Sequence, residues 1–329
     1  MNTINKAVEN AYKVLDGALL SEDEAVALAE VEGADILDLV SLANKVRVKY
    51  APEILSCSIV NAKSGVCAQN CRFCAQAVNH NTGIETYPLL PKEEILAAAR
   101  EIYAHGVRTF GIVTSGRGYL KPDEEFARIL DMLDALREEM PDLKVCVSLG
   151  ILSEETAKML VEHGAWRYNM NLQTNPERYG ELITKQHSVE EKISTIKYLQ
   201  KYGMTICCGG IIGLGESWRD RVKLALAIRE LDVDGTPLNV LLPIKGTPLE
   251  GMPVMTPADV AKTFAIFRLI NPSKMLKFTA GRETVMKDFQ GLLTLAGMNA
   301  IMTGGYLTTR GRSIEEDKKF IEYLGGFGR

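Results

Sequence analysis

The groups best able to do chemistry in this chain are its seven cysteines, at positions 57, 67, 71, 74, 146, 207 and 208. Three of them, Cys67, Cys71 and Cys74, form Cys-x-x-x-Cys-x-x-Cys, so one loop offers three thiolates. Thiolates bind zinc or iron–sulfur clusters. Structural zinc prefers four ligands, typically from two Cys-x-x-Cys knuckles, and the second knuckle is missing here. A four-iron cluster held by three cysteines leaves one iron open, and an open iron can chelate a small molecule. A zinc loop that borrows a fourth ligand from elsewhere is the competing reading. A disulfide framework fits poorly. The N-terminal MNTINKAVENAYKVLDG lacks the apolar core of a signal peptide, so a reducing cytoplasm is the expected compartment. His80, His105, His163 and His187 are too scattered for a histidine-rich metal site and read as loop or helix-surface residues.

The elements that must position these thiols alternate regularly. Short β-branched runs at 54–60, 108–114, 144–150, 167–173, 205–212, 237–243, 275–281 and 300–307 read as strands. Amphipathic segments between them, such as 91–106, 153–164 and 188–203, start at Pro or Ser and stop at Gly, as helix caps do. Eight strand–helix units imply a parallel sheet and fit an α/β fold of the closed (β/α)₈, TIM-type barrel class. Residues 1–50 read as a helical extension, with Ser21 as an N-cap followed by Asp23 and Glu24, and residues 51–329 read as the barrel. The irregular stretch 61–91 is long for a compact fold, which marks it as functional, and it carries the cysteine triplet. With 329 residues, 46% hydrophobic and 24% charged, the chain is globular. A net charge of −4 gives no basic excess for nucleic acid or anionic membranes. No apolar run reaches the roughly 18 residues that span a bilayer.

The triplet, with Phe73 before its last cysteine and a place just after the first strand, resembles the radical S-adenosylmethionine (SAM) superfamily. Gly209-Gly210-Ile211-Ile212-Gly213-Leu214-Gly215-Glu216 is similar to that superfamily's GxIxGxxE motif on strand five, which lines the adenosine. Within the superfamily the chain resembles the biotin synthase family over about residues 15–326, through SGVCAQNCRFCAQ, NTGIE, VSLGILS, YNMNLQT, GGIIGLGE, KGTPL and TAGRE in that order. The resemblance implies insertion of sulfur into dethiobiotin. It implies a [4Fe-4S] cluster on Cys67, Cys71 and Cys74 whose open iron binds SAM. It also implies an auxiliary iron–sulfur cluster, of two irons or more, that supplies the sulfur. By the same resemblance Cys146, Cys207 and Arg282 are auxiliary ligands. Phe73, Asn171, Gln173, Gly209, Ile211, Gly213 and Glu216 contact SAM, and Asn169, Asn171 and Asn239 face the ribose and the ureido ring. An electron donor such as flavodoxin or ferredoxin and a homodimer are also implied.

The chain departs from the family pattern in several places. The usual auxiliary cysteine on strand two is absent, and Gly111 occupies its place. Cys208 adjoins Cys207 where the family usually has a small residue. Neighbouring residues on a regular strand face opposite ways, so a bulge at Gly209-Gly210 would be needed to turn both thiols inward. The expected auxiliary set is then Cys146, Cys207, Cys208 and Arg282, with Cys208 as a small core residue the alternative. Met170 and Gln173 stand where the family has His and Asp, and Lys185 is the expected partner of the SAM carboxylate, or else a solvated loop lysine. Cys57 reads as core packing, Met252 and Met255 only flank a turn, and Gly304-Gly305 marks a close approach or a turn. The competing functions are another radical SAM enzyme of the hydrogenase-maturation or amino-acid mutase type, and a non-catalytic iron–sulfur or zinc-binding protein.

Overall fold

Local capping starts the helices where the sequence asks for it. The computed structural model describes residues 4–304 and 312–327. Ser21 accepts the Glu24 amide while the Glu24 carboxylate returns a bond to the Ser21 backbone, which starts the helix Glu22–Ala29. The same reciprocal pair recurs at Ser153 and Ser188. Helices α1 (Lys6–Ala11), α2 (Glu22–Ala29) and α3 (Asp35–Tyr50) precede the first strand.

Eight parallel strands close on themselves. They are β1 (Leu55–Lys63), β2 (Thr109–Thr114), β3 (Lys144–Ser148), β4 (Arg167–Asn169), β5 in two pieces (Thr205–Cys207 and Gly210–Ile212), β6 (Gly235–Val240), β7 (Met275–Phe278) and β8 (Ala300–Met302). Each pairs with the next, and β8 pairs with β1, so no edge is left. Between them run α4 (Lys92–Ala104), α5 (Glu124–Glu139), α6 (Glu154–Glu162), α7 (Val189–Lys201), α8 (Trp218–Glu230), α9 (Pro257–Ile270) and α10 (Gln290–Leu295), and α11 (Ile314–Leu324) follows β8. The eight expected strands are therefore present, and the barrel expected from their alternation is the observed fold. Gly305 and the end of the expected strand 300–307 lie outside the described residues.

Helices α2 and α3 pack on α9, and the Lys262 ammonium of α9 donates to the Ala29 and Val31 carbonyls at 2.8 and 3.1 Å. Below β7 and β8, buried Arg268 donates to five acceptors, the carbonyls of Gly297, Asn271, Pro272 and Lys274 and the Asn299 side chain. Asn299 in turn donates to the Glu53 carbonyl just before β1. No helix among the described residues is long and apolar enough to cross a membrane.

Candidate active site

The period of two on each strand sends alternate side chains into the barrel. Instead of packing solid, they surround a chamber of about 640 Å³. Cys57, Gly111, Cys146, Asn169, Cys207, Asn239 and Lys277 all line it, as do Phe73 and Cys74 of the cysteine loop. Cys57 and Cys146 are partly buried and line this chamber.

The loop after β1 is folded by its own bonds. The Cys67 amide donates to the Gln76 carbonyl at 3.0 Å, and the Val78 amide to the Cys67 carbonyl at 2.9 Å. It is docked on the segment after β4: the Arg72 amide donates to the Ile183 carbonyl, the Asn70 amide to Gln186, and Thr184 to the Asn70 side chain. His187 bridges Gln69 at 2.8 Å and the Tyr179 hydroxyl at 2.7 Å. Burial lowers the His187 pKa to about 4, so its ring stays neutral. Burial and then the neighbouring Cys74 push the Cys71 thiol up to about 12, and burial pushes Cys74 up to about 11. The thiols are near enough to influence one another, yet no three metal-binding side chains among the described residues group tightly enough for a single ion. Three cysteine thiols on one loop are a donor set that suits an iron–sulfur cluster with one open iron.

Lys192 of α7 is the cation turned toward this loop. Its ammonium donates to the Asn171 carbonyl at 3.1 Å and lies over the Tyr179 ring. Burial lowers its pKa, against the pull of Cys71 and Cys208. Lys185, the residue expected from sequence to carry this charge, is exposed on the loop instead. Lys192 escaped the sequence reading because it lies on a helix, at a spacing where a solvated face is the ordinary expectation.

A second thiol group sits deeper. The Lys277 ammonium of β7 is 3.3 Å from the Cys57 sulfur of β1. Burial works against its charge, but Cys57, Cys207 and Cys146 around it hold its pKa above the usual value. Burial, then Cys207, raises the Cys146 thiol to about 12. Neither Arg282 nor Cys208 joins these thiols. Arg282 is buried against Asp317, at 2.8 and 3.0 Å, and against Glu283 at 2.9 Å, which ties it to α11. Cys208 faces the outer layer and packs in the hydrophobic core. Strand β5 does break after Cys207, but the break keeps Cys208 outside: its amide donates to the Gly235 carbonyl at 2.8 Å. Cys57, assigned from sequence to the core, faces the chamber.

The strand-five motif shapes the chamber wall. A Cβ on Gly209 would sit 1.8 Å from the Pro237 carbonyl oxygen, so only glycine lets β5 and β6 come together. Ile211 reaches the lining, whereas Gly209 and Gly213 do not. Glu216 accepts from the Gly213 and Leu214 amides and pairs with Arg221, so its carboxylate holds the loop together. Asn171 accepts the Gly209 amide at 3.0 Å. Asn239 bridges strands, accepting from Thr279 and the Ala280 amide and donating to the Gly210 carbonyl. Asn169 is within 3.4 Å of Ser148. Gln173 has φ +73°, and its amide oxygen is buried with no partner on a chamber wall. Strain and an orphaned acceptor together mark a binding position.

Two family models cover this architecture: the radical SAM superfamily over residues 62–228, and the biotin and thiamin synthesis associated domain over 237–326. Biotin synthase of Chlorobium phaeobacteroides is 53% identical, covering 98% of this chain and 97% of its own length. The chain belongs to the biotin synthase family. The biotin synthase of Pelodictyon phaeoclathratiforme is 52% identical over 99% of the chain. Among solved structures, methylornithine synthase PylB superposes with a TM-score of 0.84 at 21% identity over 96% of both chains. The hydrogenase maturase HydG from Carboxydothermus hydrogenoformans gives 0.80 at 17% identity, covering 97% of this chain and 77% of its own. At such identities these two report the fold alone. As a biotin synthase the chain is a radical SAM enzyme that inserts sulfur into dethiobiotin, with a [4Fe-4S] cluster, SAM and an auxiliary iron–sulfur cluster, and it needs a reductant.

Proposed function

We propose that this biotin synthase holds its auxiliary cluster on Cys57, Cys146 and Cys207, with Lys277 in the place expected of Arg282. The observation that carries this reading is the contact of Lys277 with Cys57 beside the other two thiols. The thiol missing from β2 is then supplied by β1. Gly111 pairs with Ile59, two residues from Cys57 on the same strand, so the two positions are neighbours in the barrel. Cysteine thiolates are the usual ligands of such clusters, and an ammonium among them offsets their charge.

Cys67, Cys71 and Cys74 hold the four-iron cluster and leave one iron for SAM. Lys192 takes the SAM carboxylate, Gln173 and Asn171 the ribose, and Phe73 flanks the site. Asn169 meets the ureido group; Asn239, spent on its strand contacts, acts as a positioning residue. When bound, the two clusters and SAM supply the radical and the sulfur. The chain orients dethiobiotin between the two thiol groups and keeps water out. Residues 1–50 are the helical extension and 51–329 the catalytic barrel. A cytoplasmic homodimer reduced by a flavodoxin or ferredoxin completes the proposal.

Cys57→Ala tests it. After anaerobic reconstitution it should lose the auxiliary iron and sulfide and make no biotin, while still cleaving SAM. Cys208→Ala should keep its full iron. A Cys57→Ala protein with an unchanged iron and sulfide count would defeat the reading.

A further inference from the structure

The chamber runs through the barrel, not only into it. Its lining includes residues at the N-terminal ends of the strands (Glu53, Leu55, Lys144, Arg167 and Met275) as well as Phe73 and Gln173 at the opposite end. Its charge is unevenly spread. All the charged residues among those lining it, Glu53, Lys144, Arg167 and Lys277, come from the N-terminal side or from the thiol layer, whereas Gln76, Asn171, Gln173, Asn239 and Thr279 beyond are neutral. Lys144 and Arg167 both stack on the Trp166 ring, at 4.8 and 4.1 Å, which fixes their charges at the rim. Among the described residues, none of Lys144, Arg167 and Lys277 has a carboxylate within ion-pair distance. Lys144 and Cys146 are two apart on β3, and Met275 and Lys277 two apart on β7, so the rim side chains stand directly below the thiol layer.

From this we infer that the N-terminal end of the barrel is an anion port. It admits hydrosulfide to Cys57, Cys146 and Cys207 to replace the sulfur lost at each turnover. The inference rests on the ligand reading above. Chemistry in such barrels sits at the C-terminal ends of the strands, here the end that carries the cysteine loop, so SAM and dethiobiotin would lie on the far side of the thiols and leave the rim cations to a small anion. Delivery is a ligand addition where sulfur has left: iron–sulfur bonds form, the S–H bond of each hydrosulfide breaks with its proton passing to water, and neither sulfur nor iron changes oxidation level.

The test uses the holoenzyme after one turnover, given sodium [³⁴S]sulfide, with isotope entry into acid-labile sulfide read by mass spectrometry. Lys144→Glu/Arg167→Glu should slow entry about ten-fold, a typical size for electrostatic steering. Lys144→Arg/Arg167→Lys should not. Equal rates in all three proteins would overturn the port. Should the Glu variant load its clusters poorly, the cluster-stripped full-length chain gives a second measure. There the ratio of iodoacetate to iodoacetamide labelling at Cys57 and Cys146 should fall about ten-fold, with Cys71 and Cys74 as internal controls. An unchanged ratio, or an equal fall at the controls, counts against the port. A failure of the ligand assignment shows separately, as full auxiliary iron in Cys57→Ala.

Discussion

Gln173 combines a left-handed backbone with an unpartnered amide oxygen on the chamber wall. A side chain in that region costs on the order of 1 kcal/mol that glycine does not pay. Gln173→Gly should therefore raise the melting temperature slightly while weakening SAM binding to the loaded enzyme, read by calorimetry. A loss of both would mean that the side chain only braces the wall. Lys192→Ala should raise the Kd for SAM about ten-fold, the worth of one charge-assisted contact. Lys185→Ala should leave it unchanged. At this scale the sequence was legible for the triplet, whose spacing is local. It was not legible for Lys192, whose role depends on α7 turning one face toward Cys71.

Among elements, the seam between β5 and β6 depends on a missing side chain. Gly209→Ala drives a Cβ into the Pro237 carbonyl and should cost at least about 2 kcal/mol, measured by denaturant unfolding. The docking of the cysteine loop depends on neutral His187. Its folded pKa lies below the usual value of 6.5, so its contribution is complete above pH 6.5 and is lost as pH falls toward 4. Thermal stability should drop over that window, and His187→Gln should flatten the drop. A bulge at Gly209-Gly210 is the condition for turning Cys208 inward; β5 instead breaks at Cys208-Gly209 and leaves Cys208 in the core, which is the alternative outcome. Which way Cys208 turns is set by the Gly235 carbonyl on β6, a partner that the local sequence does not contain.

Across the whole molecule, Arg268 joins α9 to the bases of β7 and β8 through five acceptors. Arg268→Leu would strand those buried groups and should cost about 3 kcal/mol or more of stability, visible in chemical unfolding. Arg282 and Asp317 act similarly between β7 and α11, which explains a buried arginine in TAGRE that is absent from the chamber. The eight-fold alternation and the capping serines determined the barrel, because caps and periodicity act within a few residues. The sequence alone also determined the loop thiols and the family. Only the tertiary structure decided that Cys57, Cys146, Cys207 and Lys277 form one group. They are up to 220 residues apart, and only the register of a closed barrel brings them to one level. A cysteine and a lysine on inward positions of two strands were the available signal, and chain closure was needed to read it.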